Sequence, residues 1–266
     1  MTTHPKTKKH HPRKPTMTTP ATLISVINRS SRVSDDDIAR AVAAVGRQLG
    51  EHVSPFHGLV PAIEAVRTGD DPSEGGCPCY ILDKPDQAGV LGYHYEANDG
   101  TQMIKIFMNP ILDDSGGTVL SSAVSLSSVL SHECIELALD GPANKWVDGP
   151  DGADYAYEGC DAVQSESYVI DGVTVSDFLL QAFFDPQAAV GSRYDYLGRL
   201  AQPFSMSPGG YQITRTEPGK VTEVYGQHAR AAAGGGVSVH FGPDVPEWRR
   251  AGHVWKASQK RARRRA

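Results

Sequence analysis

Apolar residues recur at helical spacing in two stretches of this chain and cluster at strand length in several others. In the first helical stretch, Ile38, Ala41, Val42, Val45 and Leu49 share one face. Ser34 stands where an N-cap belongs, and Asp35, Asp36 and Asp37 bring negative charge to the first turn, so an amphipathic helix ending near Gly50 is expected. The second stretch predicts a helix from about Ser121 to Leu139, with Val124, Leu126, Val129, Leu130, Leu137 and Ala138 as its apolar side chains and Gly141 and Pro142 as its stop. Strands are expected at Leu23 to Ile27 and Cys79 to Leu82, and Gly92 to Glu96 should pair with Met103 to Met108 around Asn98, Asp99 and Gly100. Tyr155 to Val163 reads as a short helix, and Tyr168 to Val175 as a hairpin turning at Asp171 and Gly172. The order implies an α+β fold with a small mixed sheet. After Gly198 the pattern breaks at Pro203, Pro208, Gly209 and Gly210, so 199–248 is expected to be an irregular extension of a domain at 21–198.

Composition is that of a globular chain: of 266 residues, 39% are hydrophobic and 21% charged, which excludes wholesale disorder. No run reaches 18 apolar residues, so no membrane span is expected. The basic N-terminus lacks the apolar stretch of a secretory signal. The net charge of -5 conceals a division. Residues 1–20, rich in Thr, His, Pro and Lys, carry +5 and are expected to be a disordered arm, while 249–266 carry +8 as a basic tail. The body between them holds 13 basic and 31 acidic groups. Such ends suit an acidic partner or nonspecific nucleic-acid binding, with Lys260, Arg261, Arg263, Arg264 and Arg265 as the densest cluster. Cys77, Cys79, Cys134 and Cys160 are too few for a disulfide scaffold, and Cys77 and Cys79 lack the spacing and the second pair of a thiolate zinc site.

The stretch Ser131, His132, Glu133, Cys134, Ile135, Glu136 places H-E-x-x-E inside the second helix. Positions four apart lie one above the other, so His132 and Glu136 can present an imidazole nitrogen and a carboxylate oxygen to one cation. Glu133 sits one step round, where it can reach a water beside the metal. This is the geometry of H-E-x-x-H zinc peptidases with glutamate for the second histidine. Polar groups on an otherwise apolar helix also demand partners. Glu158 is the first candidate for a third ligand. Asp161 can orient His132 through its other nitrogen or serve as the ligand instead, and Asp140 continues the His132, Glu136 series along the helix. Tyr155, Tyr157, Tyr168 and His94 are candidate donors to an oxyanion.

Several segments between residues 22 and 186 together resemble the H-E-x-x-E metallopeptidase-like proteins of tailed bacteriophages. They are the strand-helix opening from Thr22 to Gly58, Gly92-Tyr93-His94-Tyr95 followed by Lys105 to Phe107, the S-H-E-x-x-E-L-x-x-D core from Ser131 to Asp140, E-x-C-D from Glu158 to Asp161, Asp171 to Phe178, and F-F-D-P from Phe183 to Pro186. The resemblance implies a zincin-like domain over 21–198 with a central H-E-x-x-E helix, one zinc ion, and peptide hydrolysis with Glu133 as general base. It also implies a phage virion or host-cytoplasmic location, with a peptide substrate or other virion proteins as partners. The alternative is a structural or assembly component of the virion that keeps the scaffold without activity. Thermolysin-like enzymes carry E-x-x-x-D where this chain has E-x-x-D, which leaves open whether Glu158 or Asp161 reaches the metal. One imidazole with two carboxylates is a harder ligand set than two imidazoles with one, and it weakens selectivity for zinc over manganese or calcium.

Overall fold

A computed structural model describes residues 22–226, apart from 60, 88, 218 and 219. The expected arm at 1–20 and the tail at 249–266, with Lys260, Arg261, Arg263, Arg264 and Arg265, lie outside the described residues. The chain is mixed α+β, with several sheets and few helices. Five strands form the first sheet: β1 (Leu23–Asn28), β2 (Ala62–Val66), β3 (Cys77–Leu82), β4 (Gly92–Glu96) and β5 (Gln102–Phe107), in the order β2-β1-β3-β5-β4. The first four in that order run parallel, and β4 is antiparallel to β5 at the edge.

Helix α1 (Asp35–Arg47) begins at Ser34, whose hydroxyl accepts from the Asp37 N–H at 3.1 Å. It runs into a π-helical turn, Gln48–Val53, and then a single α turn, α2 (Ser54–His57), which ends at Gly58. Helix α3 (Leu126–Asp140) packs against α1, β4 and β5. Ile24, Val26, Ile81, Ile104 and Ile106 of the sheet meet Ile38 and Val45 of α1 and Val129, Leu130 and Ile135 of α3 in one core.

The second helix starts five residues later than its apolar spacing predicts. Between Thr118 and Ser122 the hydroxyls bind nearby backbone instead: Thr118 Oγ1 accepts from the Ser121 N–H at 3.0 Å, and Ser122 Oγ from the Thr118 N–H at 3.1 Å. Such local bonds compete with helix formation. The true start is a capping box, in which Ser125 Oγ accepts from the Ser128 N–H at 3.1 Å and Ser128 Oγ from the Ser125 N–H at 3.0 Å.

The chain after α3 departs further from its local pattern. Tyr155 to Val163 is not a helix: β7 (Asp154–Ala156) lies between β6 (Trp146–Asp148) and β10 (Tyr211–Glu217), and only Asp161–Val163 form a 3₁₀ turn. Cross-strand pairing outweighs the weak helical propensity of so short a segment. The stretch after Gly198 includes the hairpin of β10 and β11 (Lys220–Tyr225), which completes this second sheet in the order β11-β10-β7-β6. Strands β8 (Ser167–Ile170) and β9 (Val173–Ser176) form the hairpin at Asp171 and Gly172, where both residues have positive φ, and β9 packs on α3.

Two buried polar arrangements tie these parts together. Gln48 accepts from Ser131 Oγ at 2.6 Å and donates to the Ser176 carbonyl at 2.7 Å, which links the π-helical turn after α1 to α3 and β9 next to His132. Asp177 receives the N–H groups of Phe178 and Leu197, while Asp195 receives those of Arg199 and Leu200. Burial, and then the hydrogen bond and charge of Asp195, push the Asp177 carboxyl up to about 8. The folded chain therefore holds a proton that an unfolded aspartate, near 3.8, releases. The associated stability is present below the unfolded value and falls as pH rises toward about 8. Asp177→Asn keeps a carbonyl acceptor and replaces the shared proton with an amide N–H. Its thermal midpoint should fall less between pH 5 and pH 9 than that of the wild type, and parallel curves for the two would dismiss a shared proton. Ser125→Ala should cost about 1–2 kcal/mol in denaturant unfolding, because the capping box it removes is buried.

Candidate metal centre

Helix α3 is buried on nearly every side, and His132, Glu133 and Glu136 are 1%, 1% and 4% exposed. Groups of this kind need partners, and two neighbouring segments bring them. The first is β4. A side chain at Gly92 would have its Cβ 2.8 Å from Val129 Cγ1, so only glycine lets the strand lie this close to α3. His94, two residues on and facing the same way, thereby comes against the helix, with Nδ1 3.4 Å from Glu133 Oε2 and 3.7 Å from Glu136 Oε2.

The second is the segment from Glu158 to Asp161. A Cβ on Gly159 would fall 2.5 Å from Leu139 Cδ1, so glycine again permits the approach. The Cys160 N–H then donates to Glu136 Oε1 at 3.0 Å, which turns Oε2 toward His132. His132 Nε2 lies 3.3 Å from Glu136 Oε2 and 3.3 Å from Asp161 Oδ1. Two donors each about 2.1 Å from a zinc-sized ion stand about 3.0–3.6 Å apart for ordinary bond angles. The observed separations match that spacing and exceed the roughly 2.7–2.9 Å of a strong charged hydrogen bond. His132, Glu136 and Asp161 are thus one group able to hold a cation, and His94, Glu133 and Glu136 are another.

No protein-family model, curated protein or solved structure matches this chain.

Of the residues singled out from sequence, the fold brings together His132, Glu133, Glu136 and Asp161. Glu158 is buried but belongs to neither donor group; it lines a small pocket beside Asp161 with Tyr155, Leu179, Phe184 and Gln212. Asp140 serves the helix end, where its Oδ2 accepts from the Lys145 N–H at 2.6 Å. Among the four candidate oxyanion donors, His94 touches the motif. Tyr155 bonds to Asp151 at 3.2 Å, Tyr157 packs on Phe184, and Tyr168 meets Gln48 at 3.1 Å and His52 at 2.9 Å.

Sequence reasoning missed His94 as a possible ligand, although Gly92-x-His94 in a strand beside an apolar helix was a signal of close approach. It also missed Tyr211, whose hydroxyl bonds to Asp161 from β10. No local pattern could have found that contact, because Tyr211 lies 50 positions after Asp161 with the β8–β9 hairpin between them.

Burial alone would lower the His132 imidazole, but Glu136, Asp161 and Glu133 together hold it well above an ordinary histidine. Burial would raise Glu136, yet His132 and His94 bring it below the usual glutamate value. Burial raises Glu133 against the opposing pull of His94 and His132. Burial, then Glu136, push Asp161 up to about 7, and the Tyr211 phenol is raised by burial and by Asp161. The cluster is short of positive charge and retains protons, which a divalent cation would displace on binding. Asp161→Ala should weaken zinc binding by at least about tenfold, whereas Glu158→Gln should leave it within about threefold, as read by competition with a chromogenic chelator. The reverse order would make Glu158 the third ligand.

Proposed function

We propose that this chain is a zincin-like, phage-encoded zinc metallopeptidase that hydrolyses peptide bonds with Glu133 as general base. The observation that carries the reading is the convergence of His132 Nε2, Glu136 Oε2 and Asp161 Oδ1 at ligand spacing, with Glu133 one residue from the first of them. The order of motifs around S-H-E-x-x-E-L-x-x-D supports it. His132, Glu136 and Asp161 would hold the ion, and the orphaned Glu133 Oε1, buried with no hydrogen-bond partner, fits a site designed to receive something more than protein.

A zinc ion held there supplies polarisation of the scissile carbonyl and a more acidic water. Glu133 takes the water proton at Oε1 and returns it to the leaving amine, while His94 steadies Oε2. The Cys160 N–H and Tyr211 hydroxyl hold Glu136 and Asp161 in place, so neither carboxylate has to reorganise. A small, water-sized pocket lies beside Asp161. With its hard donor set, the site accepts manganese as well as zinc. Partners are a peptide or protein substrate and, through the basic ends, virion proteins or nucleic acid. The location proposed is the phage virion or the host cytoplasm; among the described residues no helix is long and apolar enough to cross a membrane.

Glu133→Gln should bind the zinc held by His132, Glu136 and Asp161 as the wild type does and lower the rate of peptide cleavage by about 10²- to 10⁴-fold, with elemental analysis at one equivalent of metal and a fluorogenic peptide library as the two readouts. Undiminished cleavage by a metal-loaded variant would remove Glu133 from this role. One observation favours the second reading, a structural or assembly protein of the virion: every donor is at most 8% exposed, as in closed structural sites. Stoichiometric zinc that stabilises the fold, without chelator-sensitive cleavage, would decide for it.

A further inference from the structure

We propose that the cluster has a second divalent-cation position, formed by His94 Nδ1, Glu133 Oε2 and Glu136 Oε2, and that filling it weakens Glu133 as a base. The inference rests on the assignment of the first cation to His132, Glu136 and Asp161.

Glu136 Oε2 is the atom the two positions share. It lies 3.3 Å from His132 Nε2 on one side and 3.7 Å from His94 Nδ1 on the other, as a carboxylate bridging two ions does. The His94 to Glu133 separation of 3.4 Å is longer than the roughly 2.7–3.2 Å of a well-formed N–H···O bond, yet it suits two donors on one ion. The three donor groups are 8%, 1% and 4% exposed, so this is a built interior arrangement rather than a patch of surface acid. Glu133 Oε1, with no hydrogen-bond partner, points to a ligand that the protein itself does not supply. His94 is also held by construction: β4 is paired to β5 through Ile104 and pressed onto α3 at Gly92. Its imidazole therefore pays little entropy to bind an ion.

The consequence is regulatory. With one equivalent of metal Glu133 is free to move a proton at Oε1; with two, its carboxylate is bound through Oε2 and the nearby dication lowers the proton affinity of Oε1. Cleavage should therefore rise to a maximum near one equivalent of zinc and decline as the second is loaded.

The test is calorimetric titration of demetallated full-length protein with Zn²⁺, with elemental analysis after gel filtration. Two binding steps are expected in the wild type, the second weaker. His94→Ala and the more conservative His94→Gln, each checked for wild-type circular dichroism, should lose the second step and keep the first within about threefold of its affinity. Asp161→Ala should weaken the first. A wild type that takes one equivalent, bound equally well by both His94 variants, overturns the second position while leaving the first intact. One equivalent that depends on His94 and not on Asp161 overturns the pair by placing the sole ion on the β4 side. No binding at all overturns the first assignment and this inference with it.

Discussion

A helix that carries His132, Glu133 and Glu136 into an interior where none is more than 4% exposed must find partners for three ionisable groups, or lose more free energy than its apolar side chains return. Much of the surrounding architecture answers that demand. The helix has apolar contacts on all sides, so partners cannot come from solvent and must be delivered by other segments. Strand β4 delivers His94 and the Gly159 segment delivers the Cys160 N–H and Asp161, each through a glycine at the point of contact. Tyr211 arrives from a hairpin that pairs with β7 and thereby closes over Asp161.

The same demand explains why the site is asymmetric. Both groups of donors use Glu136, but its two oxygens have different duties: Oε1 is tied to the Cys160 backbone and Oε2 faces both imidazoles. Fixing one oxygen aims the other, which is how a flexible glutamate becomes a directional donor. The Ser131, Gln48 and Ser176 bonds do comparable work one residue away, since they set the rotation of α3 about its own axis and so the direction in which His132 points.

Burial also sets the tension between the two functional readings. A closed cluster holds an ion tightly and excludes side reactions, while a peptidase needs a path for its substrate. The pocket lined by Glu158 and Asp161 lies between β7, β10 and the turn at Gln181–Phe184. These elements come from both sides of residue 198, so the wall beside Asp161 is built in part by chain that local sequence marks only as irregular.

What the sequence determined by itself is whatever depends on neighbours along the chain. The N-cap at Ser34, the periodicity of α1, the turn at Asp171 and Gly172, and the stacking of His132 over Glu136 all follow from spacing and local chemistry. The start of α3 departs from the apolar spacing because the hydroxyls of Thr118 and Ser122 compete with the helix, and a pattern of apolar positions does not register that competition. Only the tertiary structure placed Asp161 beside His132, made His94 a candidate ligand, and turned Tyr155 to Val163 into a strand and a turn. The physical reason is common to all three. Each depends on the distance between segments remote in sequence, and that distance is set by packing, by glycine contacts and by strand pairing.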